Sequence, residues 1–513
     1  MTGKPQPPDT SRRRPARRRA VQLLPLVVAL LALGAAALAL GAPNPLNDLF
    51  ALGEGGGDSP AEAPVRHAKT TLHATPLVKC GPGSHPQPGI DGRVPEGSAK
   101  NGLDCNIKLV GHQGTEGGFK VYRYVDARRH ECAFYDQTLL FPLNALNPGA
   151  GSAGVAVLDM SRPAHPVKTA TLQTPPMLSP HESLNLNPRR GLLAAVNGNP
   201  STYPGFVSIY DVHSDCRHPK LDAFGAYARL GHESGFSSDG KTFYATSTAF
   251  KAITAIDVSN PKQPTAVWQG NVLSHGMSLS HDGKRAYIAD PGNPTNGTRG
   301  GLLILDTSQI QARKPNPKAR EVSRLTWRSV SIPQNAIPFT RHGRPYLLEI
   351  DEYNQSTLNP NGDPDGVGAA RIIDISNERH PFIVSNLRLA INQPGPHAAA
   401  AKAGDPGTSN PAQGYAAHYC NIPQAKNPRV VACSFIASGL RVFDISNLKH
   451  PKEIAYYVAP PKKRSENGDT NSDFAMSKPA FAAGRREIWW SDGTSGFYVL
   501  RVAKRVWPHR GGT

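Results

Sequence analysis

The sequence lacks the short motifs that mark the common catalytic and nucleotide-binding sites. It contains no Gly-x-Ser-x-Gly nucleophile elbow, no Walker loop, no Gly-x-Gly-x-x-Gly after a strand and no His-Glu-x-x-His pair. It also has no Cys-x-x-Cys, which argues against a thiol redox pair and against a structural zinc site. No sequence spacing therefore marks a serine or other side chain as an activated nucleophile.

The composition excludes predominantly helical folds. The 49 glycines and 48 prolines are 97 of 513 residues, or 19% of the chain, against about 12% in average usage. A helix bundle or coiled coil does not tolerate a helix breaker at nearly every fifth position. Glycine does not recur at every third residue, which excludes a collagen helix. The composition predicts a large, turn-rich, all-β protein.

The amino-terminal region predicts export or membrane anchoring. Residues 1–20 form a basic tail with seven lysines and arginines against one acid, and an apolar run follows at 23–42. That run is longer than the usual signal core and just long enough to span a bilayer. We expect a cytoplasmic tail at 1–20 and a signal or transmembrane anchor helix at 21–42, with the body outside the cytoplasm. Both a cleaved, secreted form and a single-pass membrane-anchored form remain open.

Residues 43–103 are rich in Gly, Pro, Ala and Ser, and we interpret them as a disordered linker. Residues 506–513 are expected to form a short tail. The six cysteines of the chain suit an oxidising compartment, although six cysteines allow fifteen pairings and sequence alone does not choose among them. Turn and loop positions favour two disulfide pairs, Cys80 with Cys105 and Cys420 with Cys433, and Cys132 with Cys216 would then follow by elimination.

An internal repeat organises the remaining chain. A β-branched strand that ends in aspartate and a turn recurs six times, at Asp159, Asp211, Asp257, Asp306, Asp374 and Asp444. A degenerate seventh copy lies at 497–502, and Asp-Gly hairpin signals precede several copies. Four strands in ~45–50 residues are typical of a β-propeller blade. Seven copies predict a seven-bladed β-propeller at 104–505, with blades near 105–175, 176–227, 228–270, 271–332, 333–390, 412–459 and 470–505.

The repeat resembles that of the LVIVD-repeat proteins, which are bacterial, extracytoplasmic β-propellers. The six aspartate-ended strands carry the resemblance, and residues 106–112 look like the entry strand of that family. The resemblance implies the propeller fold over about residues 105–505. It implies no single activity, because the repeat is a structural unit.

Four histidines occupy equivalent positions near the start of the first strand of their units. These are His181, His232, His275 and His418. First strands line the central channel of a propeller, so equivalent positions form a ring around its axis. Four imidazoles in a ring suit copper, iron or zinc, and Glu182 and Glu233 are candidates to orient them. The alternative is that these histidines are structural repeat residues and that the protein has no cofactor.

A possible calcium loop lies in the fifth unit. Alternate oxygen-bearing residues at Asn361, Asp363 and Asp365 resemble the first half of such a loop. The distal glutamate and the flanking helices are missing, so a plain acidic surface loop is favoured.

Two functions follow as hypotheses. The first is a ligand- or protein-binding module at the cell surface, with an unknown protein, small molecule or anionic cell-envelope component as its partner and the membrane contacted through the amino-terminal segment. The second is a metal-dependent oxidoreductase that uses the histidine ring, by analogy with other seven-bladed metal enzymes. Nucleic acid is not an expected partner, because no basic–aromatic platform is visible. Of the net charge of +18, the first 20 residues carry +6, which weakens the argument for an anionic ligand.

Overall fold

The computed structural model describes residues 57–68, 72–90, 102–137, 154–198, 203–248, 250–293, 298–327, 332–352, 367–409, 414–460 and 474–508. The basic tail and the predicted signal or anchor at 21–42 lie outside these ranges, as do the candidate calcium ligands Asn361, Asp363 and Asp365. Within the described ranges, no helix is both long enough and apolar enough to cross a membrane.

Three strands precede the first complete sheet: β1 (Val65–Ala68), β2 (Leu103–Cys105) and β3 (Ile107–Gln113). The next twelve form three antiparallel sheets in chain order. Blade 1 holds β4 (Val121–Val125), β5 (Glu131–Asp136), β6 (Val155–Asp159) and β7 (Val167–Leu172). Blade 2 holds β8 (Asn185–Asn187), β9 (Leu192–Val196), β10 (Gly205–Asp211) and β11 (Lys220–Ala228). Blade 3 holds β12 (Glu233–Phe236), β13 (Thr242–Thr246), β14 (Ile253–Asp257) and β15 (Thr265–Gly270).

Four further sheets complete the ring. Blade 4 holds β16 (Met277–Leu279), β17 (Arg285–Asn293), β18 (Thr298–Asp306) and β19 (Arg320–Trp327). Blade 5 holds β20 (Ile332–Arg341), β21 (Arg344–Glu352), β22 (Ala370–Asp374) and β23 (Phe382–Leu387). Blade 6 holds β24 (Ala417–Asn421), β25 (Val430–Phe435), β26 (Gly439–Asp444) and β27 (Lys452–Val458). Blade 7 holds β28 (Ala480–Ala482), β29 (Glu487–Asp492), β30 (Gly496–Val502) and β3. The predicted all-β, seven-bladed fold is confirmed.

Helices are short and lie in connections. Among the described residues, the α-helices are α1 (Pro175–Leu178), α2 (Ser308–Gln311), α3 (Pro394–Lys402) and α4 (Pro406–Ser409). The same part of the chain has single 3₁₀ turns at Ala390–Asn392, Ile436–Ser438 and Ala483–Arg485. α3 has no buried residue, so it adds little to the core.

The hydrophobic core is divided among the seven interfaces between adjacent blades. One apolar cluster joins blades 1 and 2, another joins blades 2 and 3, and the pattern continues around the ring to blades 7 and 1. The third strand of a blade is therefore covered on both faces, as in β6, where the first four residues are all buried. A strand covered on both faces reads as a continuous apolar run, which explains why the repeat was visible in the sequence.

The aspartate that ends each repeat strand forms an Asx turn. Its Oδ1 atom accepts a hydrogen bond of 2.7–2.9 Å from the backbone amide two residues later, at Asp159, Asp211, Asp257, Asp306, Asp374 and Asp444. The repeated aspartates are thus turn residues, and none of them belongs to the histidine ring.

We expect Asp257→Ala to lower the free energy of unfolding by about 1–2 kcal/mol, because two hydrogen bonds are lost. Asp257 accepts from the Ser259 amide and, through Oδ2 at 2.9 Å, from Nε of Arg313. Asp257→Asn keeps an oxygen for the amide and loses only the ionic contact, so its loss should be smaller. Denaturant unfolding of both variants measures the difference, and equal losses would contradict this assignment.

The entry strand closes the ring at blade 7. The repeat pattern predicted residues 106–112 at the start of blade 1, but β3 pairs antiparallel with β30 and forms the outer strand of blade 7. Blade 1 begins at β4 instead. Within the described residues, the chain after β30 forms no fourth strand. β3 instead pairs with the edge of β30 that would otherwise expose unpaired backbone groups.

Part of the predicted linker lies along the outer edges of the blades. β1 runs parallel to β19 in blade 4, and Asp58 forms a parallel bridge with Gly270 in blade 3. β2 pairs with β27 in blade 6. These contacts cover sheet edges that would otherwise present unpaired backbone groups.

Three disulfides link the pairs that the sequence favoured: Cys80–Cys105, Cys132–Cys216 and Cys420–Cys433. No free cysteine occurs among the described residues. Disulfides of this number form in oxidising compartments, which indicates an extracytoplasmic protein.

Candidate metal centre

The structure brings the four predicted histidines together at one end of the channel. His181 precedes β8, His232 and His275 precede β12 and β16, and His418 lies in β24. They come from blades 2, 3, 4 and 6. Neighbouring rings are in contact, with centroids 4.6 Å apart for His181 and His232 and 5.4 Å apart for His232 and His275. All four side chains are mostly buried. The exposed fraction is 12% for His181 and His232, 6% for His275 and 1% for His418.

Backbone carbonyls orient three of the four rings. Nδ1 of His232 lies 2.9 Å from the Gly198 carbonyl oxygen. Nδ1 of His275 lies 2.8 Å from the Pro333 carbonyl oxygen, and Nδ1 of His418 lies 2.9 Å from the Met476 carbonyl oxygen. A carbonyl oxygen only accepts, so each Nδ1 carries a proton and donates it. In the neutral imidazole, Nε2 then has the free lone pair, which is the arrangement of metal-bound histidines in general.

The Nε2 atoms converge on the carboxylate of Glu182. Its Oε2 atom lies 3.2 Å from Nε2 of both His232 and His275. Its Oε1 atom lies 3.2 Å from Nε2 of His418 and 3.9 Å from Nε2 of His181. From the sequence, Glu182 was expected to orient the histidines from outside the ring. Its carboxylate instead contacts the inward-facing nitrogen atoms, so it is itself a candidate ligand.

Glu352 joins the same cluster and was missed as a member of the ring. It ends β21 in blade 5, and its carboxylate lies 2.9 Å from Nε2 of His418 and 3.4 Å from Nε2 of His275. The first two strands of a blade are antiparallel, so the second strand ends beside the start of the first, and Glu352 pairs in register with Ile332 at the start of β20. This register could have predicted from the sequence that Glu352 lies at the level of the histidines.

Glu233 lies in a different environment. Its carboxylate accepts hydrogen bonds from Nζ of the buried Lys120, from the side-chain amide of Asn335 at 3.3 Å and from the Tyr419 hydroxyl at 3.3 Å. Its Oε2 atom also accepts from the Met277 amide at 3.1 Å. Glu233 therefore links the first strands of several blades, and its carboxylate is held by partners outside the ring.

Burial and charge set the protonation of the cluster. Burial alone would lower the pKa of His275, but the Glu352 and Glu182 carboxylates outweigh it and raise the pKa to about 9. The same balance raises the pKa of His418 to about 9. Burial would raise the pKa of Glu182, but the imidazoles around it hold that pKa well below its usual range. Burial is the main reason that the pKa of His181 lies well below its usual value.

These directions describe a charge-balanced cluster. At neutral pH it holds two imidazolium ions, His275 and His418, against the two carboxylates Glu182 and Glu352. A divalent cation that binds here would displace one proton from His275 and one from His418, and it carries the same charge as those two protons. Four imidazole nitrogens with carboxylate oxygens are ligands that copper, iron and zinc accept. The donor set therefore fits a transition metal.

The ring opens onto a cavity of about 270 Å³. Its remaining described wall carries no charged side chain and consists of Phe119, Thr248, Leu273, Pro291, Gly292, Ile332 and Met476. Phe119 packs against His181 with ring centroids 4.2 Å apart. A small, mainly apolar molecule fits such a wall.

A second group of metal-type ligands, Asp126, His130 and Asp215, lies beside the Cys132–Cys216 disulfide. Asp215 already contacts the guanidinium of Arg217 at 3.1 Å. Asp126 accepts backbone hydrogen bonds, including one of 2.9 Å from the Cys216 amide. We interpret this group as a structural network, because its oxygen atoms are taken by cations and amides.

Comparisons with known proteins agree with the fold. A family model described as the LVIVD repeat matches residues 434–458, which span β26 and β27. No curated protein sequence matches the chain.

Among solved structures, the periplasmic gluconolactonase PpgL of Pseudomonas aeruginosa is 14% identical, with a TM-score of 0.47, over 70% of this chain and 91% of its own. A putative 6-phosphogluconolactonase from Bacteroides fragilis is 10% identical, with a TM-score of 0.42, over 68% and 90%. Hydrazine synthase from Kuenenia stuttgartiensis is 14% identical, with a TM-score of 0.39, over 67% and 82%. At these values the likeness concerns the propeller architecture alone.

Proposed function

We propose that this chain, an LVIVD-repeat β-propeller, binds copper, iron or zinc through the ring of His181, His232, His275 and His418 and acts as an extracytoplasmic metal-dependent oxidoreductase. One observation carries the proposal: the Nε2 atoms of four histidines from four blades lie 3.2–3.9 Å from the Glu182 carboxylate. Two of them, those of His275 and His418, also lie 3.4 and 2.9 Å from the Glu352 carboxylate. Three of those rings are locked by backbone carbonyls, so the convergence does not depend on mobile side chains.

The roles of the protein groups follow from their positions. The histidines and the two glutamates would hold the metal, which supplies the redox or Lewis-acid chemistry when bound. The apolar wall around Phe119 would seat the substrate and exclude water. The carbonyls of Gly198, Pro333 and Met476 fix which nitrogen faces the centre.

Elemental analysis of protein never exposed to chelator tests the proposal. We expect about one metal ion per chain in the parent protein and a large loss in His275→Ala, because a ligand is removed. His450→Ala is the matched control, since His450 is an exposed turn residue whose backbone amide bonds the Asn447 carbonyl. Parent protein that contains no stoichiometric metal, and takes up none of the three ions when offered, would contradict the proposal.

The second candidate is a metal-free binding module at the cell surface. The balanced charge of the cluster favours it, because two imidazolium ions and two carboxylates already satisfy one another. In that case the ring would hold blades 2 to 6 together, and a small-molecule, protein or anionic cell-envelope partner would bind at the channel mouth or the surrounding loops. The metal assay separates the two candidates.

Export by residues 21–42 is part of either function. We propose that this segment acts as a signal or as a single-pass anchor with the basic tail inside.

A further inference from the structure

His181 differs from the other three ring histidines. Its Nδ1 atom is buried and has no hydrogen-bond partner, whereas the Nδ1 atoms of His232, His275 and His418 all donate to backbone carbonyls. Its ring orientation therefore rests on packing against Phe119 and His232. A ring held by packing alone turns more easily than one held by a hydrogen bond as well.

The backbone of His181 is also unusual. Its φ angle is +47°, in the left-handed region that residues other than glycine rarely adopt. The tight turn around it is closed by the Ser183 amide, which donates to the Pro180 carbonyl at 2.8 Å. Strain of this kind concentrates at functional positions.

His181 makes the longest contact with the centre of the ring. Its Nε2 atom lies 3.9 Å from Glu182, whereas the other three lie at 3.2 Å from the same carboxylate. It also lines the cavity beside Phe119, Leu273 and Met476. All four histidines line this cavity, and His181 is the one with the weakest contact to the centre of the ring.

We infer that the ring divides into three permanent ligands, His232, His275 and His418, and one exchangeable ligand, His181, which a small donor molecule displaces from the metal. This inference rests on the proposed metal centre. In the exchange, the coordinate bond from Nε2 of His181 to the metal breaks and one from a lone pair of the incoming molecule forms, with no change in oxidation state. Displacement opens one position toward the apolar cavity, so the substrate class is a small neutral or anionic molecule with a nitrogen, oxygen or sulfur donor.

The test compares His181→Ala with His232→Ala, each loaded with Cu²⁺. We expect His232→Ala to lose about 100-fold or more in copper affinity, and His181→Ala to lose less than about tenfold, because only His232 is a pre-oriented ligand. Azide and imidazole are the probes for the open position. His181→Ala should bind both at least about tenfold more tightly than the parent protein, seen as new copper spectra in absorption and electron paramagnetic resonance.

Each outcome has a separate meaning. Parent protein that binds no metal defeats the proposed function itself. Parent protein that binds copper, together with equal losses in the two alanine variants or unchanged probe affinity in His181→Ala, overturns the division of the ring. His181→Asn guards against misfolding, because asparagine tolerates a positive φ and cannot replace the imidazole. Its thermal unfolding should match that of the parent, and its probe binding should match that of His181→Ala.

Discussion

Replacing Arg371 by methionine is expected to lower the free energy of unfolding by about 3–5 kcal/mol, because it leaves the buried carboxyl pair of Glu349 and Asp351 without its cation. The guanidinium of Arg371 is fully enclosed and bonds Glu349 and, at 2.7 Å, Asp351. It also stacks on the Trp327 ring at 4.1 Å, and the Trp327 indole N–H donates to Asp351 at 2.9 Å. Equilibrium unfolding in denaturant measures the loss.

A charge-neutral variant is the control for this prediction. The triple change Arg371→Met, Glu349→Gln and Asp351→Asn removes the buried ions together and should recover most of the lost stability. A single Arg371→Met variant as stable as the parent would contradict the assignment of Arg371 as the required counter-ion.

The single Arg371→Met variant is also expected to bind metal more weakly than the parent protein. Asp351 directly precedes Glu352 on β21, so a shift of the Arg371 cluster moves a carboxylate of the ring. Misplacing one ligand-bearing group is expected to cost roughly 10–100-fold in metal affinity. If Arg371→Met is destabilised and yet binds metal as tightly as the parent, β21 does not transmit the change.

Metal affinity is expected to rise about 100-fold per pH unit between about pH 7 and pH 8.5, because each ion displaces two protons. Those protons belong to His275 and His418, whose pKa values of about 9 keep both imidazoles charged in the metal-free protein below that pH. Above about pH 9 the dependence should flatten. Calorimetric titration in buffers of different ionisation enthalpy counts the protons released.

The free energy of unfolding of the metal-free protein should fall as pH rises, whereas metal affinity should increase. The pKa values of His275 and His418 are raised to about 9, above the usual value of about 6.5. Their contribution is therefore fully present below about pH 6.5 and is lost as pH rises through about 9. Stoichiometric binding with no proton release, together with pH-independent stability, would show that the two imidazoles are not charged in the metal-free state.

The blade repeat was predictable because its determinants are local. The apolar strand and the Asx turn at Asp257 or Asp374 lie within a few residues of each other, and each blade repeats the same burial. The common level of His232 and His275 followed from alignment of the Asp-Gly hairpins, since equal offsets from a hairpin give equal heights in the channel. The disulfide between Cys420 and Cys433 was suggested in the same way, by a turn between two adjacent strands.

The centre of the ring could not be predicted with the same rules. Residues adjacent on a strand point to opposite faces, and the sequence does not show which way Glu182 and Glu233 turn. Packing placed Glu182 among the imidazoles and left Glu233 with Lys120. Glu352 arrives from a different strand of a different blade, at a position outside the repeat pattern.

By itself, the sequence determined the fold class, the number of blades and the presence of four histidines at one level, because each depends on hydrogen bonds and apolar patterns within one blade. Only the tertiary structure decided that β3 closes blade 7 and that Glu352 enters the ring. It alone also distinguished His181 from its three counterparts. These features depend on how separate blades meet around the axis, where contacts join residues hundreds of positions apart.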